Sequence, residues 1–225
     1  MLKELGAVQE TRLGHKDLAF LSYCRAFSER PDDEEVRGAV HRLAEETSSF
    51  DELATVYEEV VDSVEKGPIA ERLYLALARL QDERLDEPEE AEASLRKVLE
   101  FDPANRAALE MLAAMFSRRG QDNEYVVSLE QKLEAAASIE ERKAILREIA
   151  HTHEVRLQNP DDAAGAYLRA LELEPDRDTF RLLADLYRRE RKHREAAETL
   201  IRARDFESQP QVRSRLQHEV AELYE

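Results

Sequence analysis

NRAALEMLAAMFSRRGQDNEYVVSLEQKLEAA, residues 105–136, contains two helical stripes with a break between them. Ala108, Met111, Leu112, Met115 and Phe116 recur at i, i+3, i+4, i+7 and i+8, the spacing of one helix face. Arg118-Arg119-Gly120-Gln121-Asp122 then interrupts the pattern, with a glycine where a helix would end. Tyr125, Val126, Leu129 and Leu133 open a second stripe. The segment is therefore expected to be an antiparallel helix hairpin. Residues 179–204 repeat the design, with Phe180, Leu183, Ala184 and Tyr187 before the break and Ala196, Ala197, Leu200 and Ala203 after it.

Outward from these hairpins the chain repeats at a spacing of 72 residues. Leu13, Leu85 and Leu157 keep that interval, as do Ala19, Ala91 and Ala163, then Phe27, Leu99 and Leu171, and finally Pro31, Pro103 and Pro175. Four columns at one period imply stacked units, each in contact with its neighbours. The units are expected at about 6–77, 78–149 and 150–220, all within one repeat domain spanning 1–225. Glu87-Pro88-Glu89-Glu90 and Asn159-Pro160-Asp161-Asp162 place proline at a helix start, where its missing N–H has no helical partner, with acids at the positive end of the dipole. The first unit has Gly14-His15-Lys16-Asp17 there, without proline. A second turn follows at Arg30-Pro31, Asp102-Pro103 and Glu174-Pro175, because the residue before proline is pushed out of the helical region. About thirteen helices are predicted, near 2–12, 16–29, 33–46, 50–65, 69–84, 88–101, 105–119, 122–136, 139–157, 160–173, 176–190, 193–206 and 210–225, and no strand.

These hairpins resemble the tetratricopeptide repeat. Leu183-Ala184, Tyr187, Ala196, Leu200 and Ala203 match its pattern, and Leu112-Ala113, Phe116, Tyr125 and Leu129 match with a bulkier residue for one alanine. Ile149-Ala150, His153, Ala163, Tyr167, Ala170 and Pro175 match with one extra residue in the turn; Leu77-Ala78, Ala91, Leu95, Val98 and Pro103 match similarly. Val40, Ala44, Leu53 and Tyr57 match loosely, and the family's early tryptophan is absent. The resemblance implies an all-α, right-handed α-solenoid of antiparallel hairpins. Small residues let paired helices approach, and large ones fill the seams at about 25 cal/mol per Å² of apolar area. Alanines 221 and 150 align, but the partner of the last helix is missing. The expectation is a fragment of a longer array, its last helix exposing Leu216, Val220 and Leu223 and open to self-association.

Net charge is −17, which disfavours nucleic acid and anionic membrane as partners. The run Arg188-Arg189-Glu190-Arg191-Lys192-His193-Arg194 interleaves acid and has no aromatic for base stacking. No apolar stretch is long enough to span a membrane and the polar start is unlike a signal peptide, so a cytoplasmic setting is expected. Cys24, the single cysteine, reads as a small buried side chain. His151 and His153 point to different sides of a helix, unlike metal-ligand pairs, so neither a metal nor a cofactor is expected. No nucleophile motif or phosphate loop suggests an enzyme.

The family's ligands lie in a concave groove lined by the first helices of the hairpins. The matching positions are Arg147, His151, Arg181, Asp185, Arg188, Arg189, Arg215 and His218, with Ala76, Leu80, Ala107, Glu110 and Ala114 in the middle of the chain. Arginine grips carboxylates with two hydrogen bonds, so a C-terminal groove for an acidic segment of a protein or peptide is expected; the competing reading pairs these arginines with Asp185 and Glu190. The function expected is a non-enzymatic protein-interaction scaffold. The alternative is a regulatory or assembly repeat region of a larger enzyme or of a bacterial secretion or motility machine.

Overall fold

The structure, a computed structural model, describes residues 1–224; the predicted end of the last helix at Glu225 lies outside them. Among the described residues there are thirteen α-helices and no strand. They are α1 (Leu2–Thr11), α2 (Lys16–Glu29), α3 (Glu34–Thr47), α4 (Phe50–Ser63), α5 (Pro68–Leu80), α6 (Pro88–Phe101), α7 (Arg106–Arg119), α8 (Asp122–Ala135), α9 (Ile139–His151), α10 (Pro160–Leu173), α11 (Arg177–Arg189), α12 (His193–Phe206) and α13 (Pro210–Glu222). The all-α helical repeat fold agrees with the periodicity. The chain divides into two compact units, Met1–Met115 and Phe116–Glu225.

Helix starts follow local chemistry. Asp33 accepts hydrogen bonds from the backbone N–H of Glu35 and Val36, Ser138 from Glu141, Asn159 from Asp162 and Asp176 from Thr179. Each side chain satisfies a donor that the first helical turn leaves free. Pro68, Pro88, Pro160 and Pro210 each open a helix.

Two helices end unlike the prediction. The expected single helices over 69–84 and 139–157 each close in a π turn, at Gln81–Leu85 and Thr152–Arg156. These are the repeats with one residue too many, and a π turn absorbs an inserted residue without breaking the helix. At three positions 72 residues apart the exit closes alike: the backbone N–H of His15, Glu87 and Asn159 donates to the carbonyl of Gln9, Gln81 and His153. Gly14, Asp86 and Gln158, again 72 apart, carry the left-handed backbone that this exit requires, with φ of 67°, 55° and 53°.

In the first unit the core gathers Phe27, Val40, Leu43, Leu53, Tyr57 and Leu73. Helix-facing alanines, Ala44, Ala78, Ala91, Ala163 and Ala196, are fully buried and let the paired helices touch. In the second unit Ile149, Ala150, Tyr167, Leu171 and Leu183 are buried. The last helix departs from expectation. Val220 is only 6% exposed and packs with Ala184, Ala197 and Leu200, while Leu216 and Leu223 are half-buried on the same cluster. The apolar face of α13 is thus turned onto α12 rather than out to solvent.

Candidate functional site

Burying one face of a helix leaves the opposite face free, and in the first unit two such faces form a cleft. Leu73, Leu77 and Leu80 turn into the core from α5, as Val36, Val40 and Leu43 do from α3. This fixes Arg72, Leu75, Ala76 and Arg79, at i, i+3, i+4 and i+7, on the other side of α5. On α3 the same logic presents Arg37, His41 and Glu45. With Glu83 and Arg84 from the π turn, these residues line a cleft of about 880 Å³.

Charges in the cleft are of two kinds. Arg42 is held by Glu10 at 2.7 Å and Glu46 at 3.1 Å, and Arg84 by Glu45 at 2.6 Å while it lies over the Phe50 ring. Arg37 meets Glu34 only at 3.8 Å. Arg72, Arg79 and Glu83, all exposed, have no oppositely charged partner among the described residues. At the cleft's base the Nε2 atom of His41 and the Tyr57 hydroxyl are 2.7 Å apart. Burial holds the His41 pKa below its ordinary 6.5, and Arg37 and Arg79 push it the same way, so the positive charge of the cleft at neutral pH belongs to arginine.

The second unit has a smaller cleft, of about 530 Å³, between α11, α12 and α13. It brings together Arg181, Arg188 and Arg215 of the predicted set. Arg188 reaches Glu219 at 2.8 Å and Asp185 at 3.5 Å, and Arg181 lies 3.9 Å from Asp185. Arg215 alone of the three has no carboxylate partner among the described residues. The other predicted residues lie off this cleft. Arg147 donates to the Lys143 carbonyl at 3.4 Å, His151 is exposed, Arg189 pairs with Glu154, and His218 sits 3.4 Å from Glu222. Of the middle positions, Ala76 and Leu80 line the first cleft, whereas Ala107, Glu110 and Ala114 are exposed on α7 and line neither.

The arginines of the first cleft were missed in the sequence because the surrounding chain is acidic on average. The signal was there: Arg72 and Arg79 sit seven apart on the side of α5 opposite Leu73, Leu77 and Leu80.

Cys24 is buried, and its thiol is pushed up to about 12, first by burial and then by Glu52. Among the described residues no three His, Cys, Asp or Glu side chains gather where they could hold a metal ion, and no helix is long and apolar enough to cross a membrane.

Residues 71–105 match the tetratricopeptide repeat family. No curated protein matches the sequence. Among solved structures, a tetratricopeptide repeat protein from Parabacteroides merdae is 17% identical over 98% of this chain and 83% of its own, with a TM-score of 0.41. The C-terminal part of a TPR repeat-containing protein from Cytophaga hutchinsonii is 10% identical over 90% of this chain and 78% of its own, at 0.49. The TPR2AB domain of yeast Sti1 in its pHSP90 complex is 13% identical over 99% of this chain and 95% of its own, at 0.36. Likenesses at these scores carry no functional argument, and the site rests on its own geometry.

Proposed function

We propose that this chain, whose residues 71–105 match the tetratricopeptide repeat family, is a non-enzymatic interaction scaffold whose first-unit cleft takes an acidic segment of a partner protein. One observation carries this reading: Arg72 and Arg79 stand exposed on one cleft wall, on either side of Leu75 and Ala76, with no carboxylate of the described residues within ion-pair distance. A guanidinium left in this way can form charge-assisted hydrogen bonds with an incoming carboxylate. Leu75 and Ala76 offer apolar contact between the two charges. Preformed helices avoid an ordering penalty on binding.

The C-terminal cleft is the alternative site, on the strength of Arg215. Arg181 and Arg188 would first have to leave Asp185 and Glu219, which makes it the weaker of the two. Titration of a labelled acidic peptide into the protein, followed by fluorescence anisotropy, tests the assignment. Binding should be lost in the Arg72→Glu/Arg79→Glu variant and kept in Arg181→Glu/Arg188→Glu. The reverse pattern would move the site to the C-terminal cleft, and no effect of either pair would remove the arginines from the account.

A further inference from the structure

The unpartnered charges of the first cleft form a series with a fixed order. Arg72, Arg79 and Glu83 lie on the wall built by α5 and its π turn, at intervals of seven and four residues, and Leu75 and Ala76 fall between the first two. At 1.5 Å per residue the two arginines are about 10.5 Å apart along the helix axis. Of the neighbouring cleft charges, Arg42 and Arg84 are already neutralised by Glu10, Glu46 and Glu45, and Arg37, 3.8 Å from Glu34, adds positive charge from the facing wall on α3. The wall therefore presents plus, apolar, plus, minus.

Resting on the reading of the cleft as an acidic-segment site, we infer that the segment it takes is an α-helix with two carboxylates seven residues apart, an apolar side chain between them, and a basic residue four positions beyond the second acid. A ligand helix has the same rise and period as α5, so residues seven apart return to one face and meet Arg72 and Arg79 together, and a residue four further on falls toward Glu83 in the π turn. An extended segment does not fit. At about 3.3 Å per residue it covers the arginine spacing in three residues, and positions three apart point to opposite sides of a strand. The lone Glu83 distinguishes this ligand from a uniformly acidic one, because a third acid in line would face a like charge. A phosphate backbone would meet the same repulsion.

Anisotropy measurements on three alanine-based helical peptides of equal composition test the inference. One carries the matched spacing, one the same order reversed along the peptide, and one has its two acids five residues apart, which places them on different faces. The better of the first two should bind about tenfold tighter than the shifted peptide, the equivalent of one lost charged contact. Glu83→Lys should erase the preference for a basic residue at the third position while leaving the two acids effective. Equal binding of matched and shifted peptides would overturn the helical register and leave the acidic-segment reading standing. No binding by any acidic peptide would overturn both. A single-stranded oligonucleotide that bound more tightly than the matched peptide would replace a protein partner with a nucleic acid.

Discussion

Gln158 shows how the 72-residue period constrains single residues. Its backbone is left-handed, as are those of Gly14 and Asp86 in the same column, but only the first of the three positions carries glycine. For a residue with a Cβ that conformation costs about 1–2 kcal/mol, partly offset by the smaller entropy it loses on folding. Gln158→Gly should therefore stabilise the fold by about 0.5–1 kcal/mol in urea denaturation, whereas Gly14→Ala should destabilise it. A second column is polar. Ser22 donates to Gln9 at 2.6 Å, and Ser94 to Gln81 at 2.8 Å. The third copy is His153 and Ala166, and His153 Nδ1 is buried with no hydrogen-bond partner among the described residues. Ala166→Ser should restore the missing donor and stabilise by about 0.5–1.5 kcal/mol; an unchanged urea midpoint would show that the position has room for the change but no use for it. His41 gives a pH dependence. Because its folded pKa lies below 6.5, the unfolded chain binds more protons in that range, and the His41 contribution to stability is complete above pH 6.5 and lost as pH falls below it. The His41→Gln variant should show a shallower loss over the same interval. Sequence reading matched His153 to the repeat pattern, but the lost donor becomes visible only when two earlier copies are seen to make the same bond.

Helices were the most legible level. Apolar spacing, prolines and caps place thirteen of them within a few residues of their observed limits. The π turns were not legible, because no glycine or proline marks Gln81–Leu85 or Thr152–Arg156, and the extra residue shows in sequence only as a mismatch in repeat length. Column position also fails to predict burial where the neighbouring element differs. Leu5 and Val8 of α1 are 47% and 41% exposed, while their counterparts Leu77 and Leu80 are 2% and 5% exposed. Leu77→Ala should cost about 2–5 kcal/mol and Leu5→Ala less than about 1 kcal/mol, measured as urea midpoints. Comparable losses would mean that the α1 face is covered in solution. The groove positions were legible in part. The sequence shows an arginine on α11 but not the acid that joins it from α13, 31 residues away, so Arg188 could not be recognised as already held by Glu219.

At the scale of the whole molecule, charge and connectivity set the behaviour. A net charge of −17 repels itself at long range, and that repulsion is screened over about 10 Å at 0.1 M salt. The melting temperature should therefore rise with sodium chloride between about 0.01 and 0.15 M, and a flat or falling curve would show that the surface ion pairs outweigh the net repulsion. Peptide capture in the first cleft should respond in the opposite sense, weakening as salt rises, so the two measurements separate global from local electrostatics.

Packing partners in each unit lie next to one another along the chain or one helix removed, as with α1 on α2, α5 on α6 and α9 on α10. No distant segment has to be brought back to close a core, so loop-closure entropy adds little to the barrier. Pulled by its two ends in an optical trap, a chain wired this way should lengthen in a run of small separate steps, a pair of helices at a time. It should also recoil quickly when released, because any surviving pair can seed the return of the next.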